Sequence, residues 1–352
     1  MKGSIKIFEL FGIPMRIHIT FLLLPLLFLM IYGFKAMILV LIVFVCVAFH
    51  ELVHGLVARR FGIKVRDITL LPIGGVASMS KMPENPKEEF LISIAGPLFN
   101  IVLAAVLFFV LYNVPWMPRW ILANPTLGDS WLHTIALVPW INITLAVFNL
   151  LPAFPMDGGR ILRSLLATRM EYRRATQIAV NIGHLFAILF GYVGLVQGRI
   201  ILLLIAIFIY MAASAEESQV NLKETLKGFK VRSVLSHRFL TLEKDTLVSK
   251  VLELIFQTHQ EDFPVVEGNH MVGFVTRGDI IVAMHQHGPS KRVSEIMRTD
   301  VPSVSPEDSL TTVQRLMEEY QIKALPVMRD SVVHGVVTLE DIGRVYSIMA
   351  RK

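Results

Sequence analysis

Long apolar runs fill the first 215 residues of the chain, and a mixed polar and apolar pattern fills the rest. A helix needs about 20 residues to cross a hydrocarbon core of roughly 30 Å. Six stretches meet or approach that length, namely residues 17–34, 36–58, 90–112, 130–151, 176–196 and 198–214. The pattern predicts a polytopic α-helical membrane domain with about six spanning helices over residues 1–215, followed by a soluble region.

The soluble region opens with a polar linker, residues 216–229, for which we expect a helix. The chain then repeats one pattern at a spacing of 62 residues, so that "FPVVEGNHMVGFVTRGDI" from Phe263 aligns with "LPVMRDSVVHGVVTLEDI" from Leu325. Each copy predicts the order strand, helix, strand, strand, helix. Two such small copies pair to bury faces that neither could bury alone. We therefore predict two α+β domains, at residues 230–287 and 288–352.

Composition agrees with a membrane protein. The chain has 352 residues, of which 54% are hydrophobic and only 18% are charged, too apolar a balance for an ordinary soluble protein. The single cysteine, Cys46, lies inside an apolar run, so we expect neither a disulfide framework nor a thiolate zinc cluster. The first apolar run is longer than the core of a signal peptide and lacks a small-residue cleavage site, so no cleavable signal peptide is expected.

Basic residues are distributed unevenly between the loops. The loops on one side of the six predicted spans carry 14 Lys and Arg residues, and those on the other side carry 3. Because basic loops stay inside, this bias predicts a multi-pass protein of the cell membrane with both termini and the soluble domains in the cytoplasm. It also accounts for the net charge of +6 without nucleic acid. No basic stretch is interleaved with aromatic residues as a single-strand binding groove requires.

Three ionisable residues interrupt the second apolar run in "HELVH", which begins at His50. Residues four apart share one face of a helix, so His50 and His54 can point at one ion. His-Glu-x-x-His is a zinc-binding pattern in which the Glu, here Glu51, acts as general base on the catalytic water. Ionisable groups inside a spanning segment cost roughly 2.5–3.5 kcal/mol and usually mark function. The alternative is a helix end that has already left the bilayer.

A third ligand is expected from "NLLPAFPMDGGRIL", which starts at Asn149 and closes the fourth apolar run. Pro152 and Pro155 disrupt the helix there, and Asp157 follows on the membrane side where the two histidines lie. A catalytic zinc requires three protein ligands and one open position, and Asp157 can supply the missing ligand. A helix cap is the alternative role for this residue.

These two motifs, with "SIAGPLFN" from Ser93 to Asn100, resemble the site-2 protease family of intramembrane zinc metalloproteases over residues 1–215. The resemblance makes Asn149 the candidate that holds the substrate carbonyl or its oxyanion, with Asn142 a weaker candidate. It implies one zinc ion per subunit, held by His50, His54 and Asp157, with Glu51 as the catalytic base.

The segment "LPIGGVASM", from Leu71 to Met79, matches a short strand region of that family. Its backbone could pair with an unwound substrate, which must be extended before water can attack it. A plain re-entrant loop is the alternative. The expected substrate is a membrane-spanning protein that is cut in or near its transmembrane segment, as in regulated intramembrane proteolysis.

The two soluble copies resemble a pair of CBS domains, a module that often binds adenine nucleotides. A hydroxyl at the end of a strand, together with the amides at the start of the following helix, can bind a phosphate. A carboxylate in the first turn of that helix can accept hydrogen bonds from the ribose hydroxyls. Thr and Asp at such junctions are also ordinary helix caps. The alternatives to nucleotide sensing are that the pair docks substrate or only mediates dimerisation. The expected ligand is ATP or AMP, the pair is expected to form a homodimer, and the candidate nucleotide residues are Thr276, Asp279, Thr338 and Asp341, with Arg277, Lys291 and Arg292 as phosphate partners.

Two other functions are compatible with the same residues. A metal transporter or channel regulated by the CBS pair would use the histidines to pass ions, but the outer half of every span is nearly free of acids. A non-catalytic scaffold would present the tail as a nucleotide sensor. A complete set of ligands and base favours the zinc protease over both.

Overall fold

The chain divides into two units, Met1–Ser218 and Gln219–Lys352. The computed structural model describes residues 3–72, 74–79, 83, 85–126, 130–235, 239–258, 260–268, 270–329 and 332–349. Some positions of the expected elements lie outside the described residues, namely residue 73 of "LPIGGVASM", residues 236–238, 259 and 269 of the first soluble domain, and residues 330–331 and 350–352 of the second.

A four-stranded sheet opens the first unit, with β1 (Ser4–Leu10), β2 (Ile13–His18), β3 (Val65–Leu71) and β4 (Gly74–Met79) in that spatial order. The outer pairs are antiparallel, and β2 pairs with β3 in parallel. The segment "LPIGGVASM" therefore includes an edge strand, β4. The described residues of this segment, 71–72 and 74–79, form strand and turn and not a re-entrant loop.

Helices form the rest of the first unit. Asn85 caps the helix that begins at Pro86 by accepting a hydrogen bond from the Lys87 amide, and the proline occupies the first helical position. The helices are α1 (Leu23–Tyr32), α2 (Phe34–Arg60), α3 (Pro86–Asn113), α4 (Arg119–Ala123), α5 (Trp131–Asn149), α6 (Asp157–Ala167), α7 (Tyr172–Val196) and α8 (Ile200–Lys227). Helix α3 packs against α2, α5 and α6, so it lies at the centre of the helical part.

Among the described residues, α2, α3, α5, α7 and α8 are long and apolar enough to cross a membrane. Large apolar side chains cover their outer faces, and Phe109, Leu195 and Ile201 are 72–74% exposed in the isolated chain. Surfaces of this kind fit a lipid environment. The predicted polytopic membrane domain is confirmed, with a helix count close to the expected one.

The first predicted span, residues 17–34, differs from the expectation. It consists of the end of β2, a 3-10 turn at Ile19–Leu22 and the ten-residue α1. The apolar run is interrupted because β2 pairs with a strand on each side, and His18 then caps the turn by accepting from the Thr20 amide. The segment "IPMRIH" has the alternating pattern of a strand, and its last residues overlap the run that composition alone assigns to a helix.

The second unit contains the two predicted copies. The first copy has β5 (Leu242–Glu243), α9 (Val248–Thr258), β6 (Phe263–Glu267), β7 (His270–Val275) and α10 (Arg277–His287), in the predicted order. The second has α11 (Leu310–Tyr320), β8 (Ala324–Arg329), β9 (Val332–Thr338) and α12 (Leu339–Met349). Its first strand is reduced to a single parallel bridge between Val304 and Val327.

The copies are equivalent in register as well as in sequence. Pro264 pairs with Phe274 in the first hairpin, and Pro326 pairs with Val336 at the same place in the second. Each copy also fills its core from equivalent positions, which are Val248, Val251, Phe263, Val265, Val275 and Ile280 in the first and Leu310, Val313, Leu325, Val327, Val337 and Ile342 in the second.

Candidate functional site

Helix α2 brings two predicted ligands together near its end. His50 and His54 are one helical turn apart, and their side chains are almost completely buried. Their Nε2 atoms lie 3.1 Å apart. The four-residue spacing thus aims both rings at the same point, as the sequence pattern predicts.

Asp157 is the first residue of α6, and its Oδ2 lies 3.2 Å from His50 Nε2 and 3.1 Å from His54 Nε2. The two glycines that follow it allow this placement. A Cβ on Gly158 would lie 2.2 Å from the Leu151 carbonyl oxygen, and one on Gly159 would lie 2.6 Å from backbone atoms of the same loop. The backbone therefore folds tightly on itself and holds the Asp157 carboxylate against α2.

The three atoms fit a zinc ion. Tetrahedral ligands about 2.0–2.1 Å from zinc lie about 3.3–3.4 Å from one another, close to the spacings observed among these residues. His54 Nδ1 donates to the Ile92 carbonyl oxygen over 2.6 Å, which leaves its Nε2 lone pair free for a metal. Two imidazoles and a carboxylate are also a donor set that zinc accepts.

Helix α3 covers the three atoms with a residue that has no side chain. A Cβ at Gly96 would lie 2.2 Å from His54 Nε2 and 2.6 Å from His50 Nε2. Glycine is thus required where α3 crosses the histidines. Gly96 belongs to the motif "SIAGPLFN", but its role depends on the crossing of two helices and has no signal in the sequence.

Glu51 lies beside the edge strand of the sheet. Its side chain is partly exposed, and a Cβ on Gly75 of β4 would lie 2.5 Å from Glu51 Cγ. Within the described part of the chain, β4 pairs with β3 alone, so its other edge carries free backbone groups. The carboxylate and an edge that can accept another strand are therefore adjacent.

Three asparagines lie on the helices around the site. Asn149 is the last residue of α5 and is partly exposed, whereas Asn142 is completely buried. The Asn142 amide donates to the Val138 carbonyl oxygen over 2.9 Å and to Cys46 Sγ over 3.4 Å. Asn100, one turn after Gly96, is buried with neither polar side-chain atom paired within the described residues. Sequence reasoning did not single it out.

A cleft of about 960 Å³ in the second unit contains one of the two predicted nucleotide motifs. Thr338 and Asp341 line it and form a cap, in which the Thr338 hydroxyl donates to the Asp341 carboxylate over 2.8 Å. The other lining residues include the carboxylates of Glu261, Asp262 and Glu340, the cations Lys323 and Arg344, and the aromatic ring of Phe239.

The equivalent motif of the first copy has an additional partner within the chain. Thr276 and Asp279 form the same cap, but Arg298 binds the Asp279 carboxylate through two nitrogens at 2.7–3.0 Å. Burial acts to raise the pKa of Asp279, but the hydrogen bonds from Arg298 and Thr276 outweigh it and lower that pKa. This carboxylate is therefore already engaged by a cation of its own chain.

The basic residues expected to contact phosphate do not line the cleft. Arg277 pairs with Glu261, Lys291 pairs with Glu295, and Arg292 pairs with Asp245. All three ion pairs are exposed, and two of them join residues 16 and 47 positions apart, which sequence alone does not reveal. Lys323 and Arg344 are the cations of the cleft instead.

The comparisons with known proteins agree with both parts of the chain. The model of peptidase family M50 matches residues 38–129 and 117–190, and the model of the CBS domain matches residues 231–286 and 293–347. The zinc metalloprotease MJ0392 of Methanocaldococcus jannaschii is 33% identical over 359 residues, covering 100% of this chain and 98% of the relative.

Two further likenesses have the same character. The putative zinc metalloprotease sll0528 of Synechocystis is 27% identical, covering 94% of this chain and 92% of the relative. The solved structure of the site-2 protease from Methanocaldococcus jannaschii is 40% identical, with a TM-score of 0.46, and covers 61% of this chain and 95% of that chain.

Proposed function

The chain belongs to peptidase family M50, the site-2 protease family, and from this premise we propose that His50, His54 and Asp157 hold its zinc ion. It is a membrane-embedded zinc metalloprotease with a pair of CBS domains. The observation that carries the proposed ligand set is the convergence of one atom from each residue within 3.1–3.2 Å of the others. The comparisons give no support to a transporter or channel.

Glu51 is the proposed general base. When bound, zinc acts as a Lewis acid that lowers the pKa of water toward 7 and polarises the substrate carbonyl. The Glu51 carboxylate takes a proton from the attacking water, then gives it to the nitrogen of the leaving amine. The position of Glu51, one residue after His50 and beside β4, supports this role.

The substrate is proposed to be a membrane-spanning protein that binds in an extended form along β4. Pairing with the free edge satisfies the backbone groups that the substrate exposes when its helix unwinds. The contact between Gly75 and Glu51 supports this arrangement, because a strand added there lies close to the carboxylate. Asn149 is the proposed partner of the substrate carbonyl or oxyanion.

Both termini are proposed to lie in the cytoplasm. The excess of basic residues in one set of loops supports this orientation. Two termini on one side require an even number of crossings, so the orientation requires the short apolar segment Ile19–Tyr32 to cross together with the five longer helices.

The cleft at Thr338 and Asp341 is the proposed nucleotide site, and AMP or ATP is the proposed ligand. Its volume and its Thr-Asp motif support an adenine nucleotide, while the Asp279–Arg298 pair makes the first copy the weaker candidate. A homodimer through the CBS domains is also proposed. Phe256 on α9, which is 80% exposed, offers apolar surface for such a contact.

Zinc analysis of the purified full-length protein tests the proposed ligand set. Wild type is expected to hold one zinc per chain and to cleave a tagged model transmembrane substrate. His50→Ala and Asp157→Ala are expected to lose both zinc and cleavage, while Glu9→Gln on the exposed strand β1 keeps both. Full zinc content in either ligand variant would contradict the proposed assignment.

A further inference from the structure

A buried charge cluster lies beside the zinc-site elements, centred on Arg163 of α6. The Arg163 side chain is only 1% exposed. Its Nε donates to Glu89 Oε1 on α3 over 2.9 Å, and its Nη1 donates to Glu216 Oε1 on α8 over 2.6 Å. Buried charges are costly unless they are paired and hydrogen-bonded, so three helices depend on this one guanidinium.

Two aromatic rings enclose the same guanidinium. The rings of Phe154 and Tyr172 lie with their centroids 4.8 Å from the Arg163 guanidinium carbon. Phe154 belongs to the tight loop that ends at Asp157, and Arg163 belongs to the helix that Asp157 begins. Arg163 therefore contacts the support of Asp157 on both sides of that residue.

Glu216 joins a third helix to the cluster. It lies on α8, in the part of that helix that belongs to the first unit. The ion pair between Glu216 and Arg163 thus fixes α8 to α6 inside the first unit.

We propose that Arg163 is a positioning residue for Asp157, and that Glu216 makes α8 part of the support of the metal site. This inference rests on the proposed role of Asp157 as a zinc ligand. Metal–ligand distances in proteins lie within about 0.2 Å of their standard values. A loosened α6 that moves Asp157 away from such a distance is therefore expected to weaken zinc binding although all three ligands remain. Arg163 acts through Asp157 and itself contacts neither substrate nor metal.

The test measures metal affinity and geometry in purified full-length protein. Zinc affinity is obtained by competition with a chelator, and the visible absorption spectrum of the cobalt-substituted protein reports the ligand geometry. Arg163→Lys keeps the charge but loses the planar fork and the stacking, and Glu216→Gln removes one charged partner. Each is expected to weaken zinc binding about 10- to 100-fold and to shift the cobalt spectrum. The neighbouring Glu217→Gln, which removes an equal charge, is expected to match wild type.

Melting temperature and gel filtration establish which variants are folded. If Arg163→Lys does not fold, Glu216→Gln decides, because Arg163 keeps Glu89 in that variant. The role of Arg163 would be overturned, and the ligand assignment kept, if the folded Arg163→Lys and Glu216→Gln variants had wild-type zinc affinity and a wild-type cobalt spectrum while Asp157→Ala lost zinc. Wild-type zinc affinity in Asp157→Ala would overturn the ligand assignment and this inference together.

Discussion

Replacement of Gly96 by alanine is expected to damage the metal site directly, because the added methyl group would meet both histidine rings. The added Cβ would lie 2.2 Å from His54 Nε2, whereas ordinary contacts begin at 3.4 Å. Either α3 or the imidazoles must therefore move by about 1.2 Å. A displacement of this size is several times the roughly 0.2 Å that metal ligation tolerates.

We expect Gly96→Ala to hold less than one zinc per chain and to cleave a model transmembrane substrate about 100-fold more slowly than wild type. Metal content is measured by mass spectrometry of purified protein, and cleavage by gel mobility of a tagged substrate. Gly191→Ala is the matched control. It adds the same methyl group to a membrane helix, but its nearest neighbour, the Ala206 Cβ, is 3.6 Å away.

The reasoning fails if Gly96→Ala is folded, binds one zinc with wild-type affinity and cleaves at the wild-type rate. Loss of folding in Gly191→Ala as well would show that the membrane helices tolerate no added methyl group, and would remove the link to the metal site.

Two further predictions concern the CBS pair. Four carboxylates and two cations line the cleft at Thr338 and Asp341, and this excess of negative charge repels the additional phosphates of ATP. AMP is therefore expected to bind more tightly than ATP in the absence of Mg²⁺. Calorimetry that shows the reverse order would refute this argument. Burial alone would raise the pKa of Asp279, but hydrogen bonds from Arg298 and Thr276 lower it in the folded protein. The ionised Asp279 carboxylate therefore stabilises the fold above the unfolded pKa of about 3.9. This stabilisation is lost as the pH falls through the lower folded pKa. Asp279→Asn is therefore expected to lower the melting temperature at pH 7, with a gap from wild type that closes toward pH 3; a gap independent of pH would contradict the assignment.

Local patterns predicted that His50, His54 and Asp157 would lie close together, as they do. The spacing of His50 and His54 fixes their common face, and the proline-interrupted end of α5 brings Asp157 to the same side. The repeat at 62 residues likewise predicted both hairpins, because the copies share register as well as core positions. The common face of the two histidines and the shared register of the copies follow from spacing along the chain. The approach of Asp157 to histidines 107 and 103 positions away was instead expected from the side of the membrane on which its loop lies.

Contacts between distant segments account for what the sequence did not reveal. Arg163 follows the fourth apolar run in a segment rich in basic residues, yet its side chain is buried and paired with carboxylates 74 and 53 positions away. The role of Gly96 depends on the crossing of α2 and α3, and the N-terminal strand β2 depends on pairing with β3. None of these partners is adjacent in sequence, so a pattern read along the chain could not find them.

The central claim is that this chain hydrolyses a peptide bond with Glu51 as the base beside a zinc ion. The most direct test compares wild type with Glu51→Gln, using purified protein of known zinc content and a tagged transmembrane substrate. We expect the variant to keep one zinc per chain while cleavage falls by about 10²- to 10⁴-fold. Cleavage at the wild-type rate by zinc-loaded Glu51→Gln would contradict the mechanism.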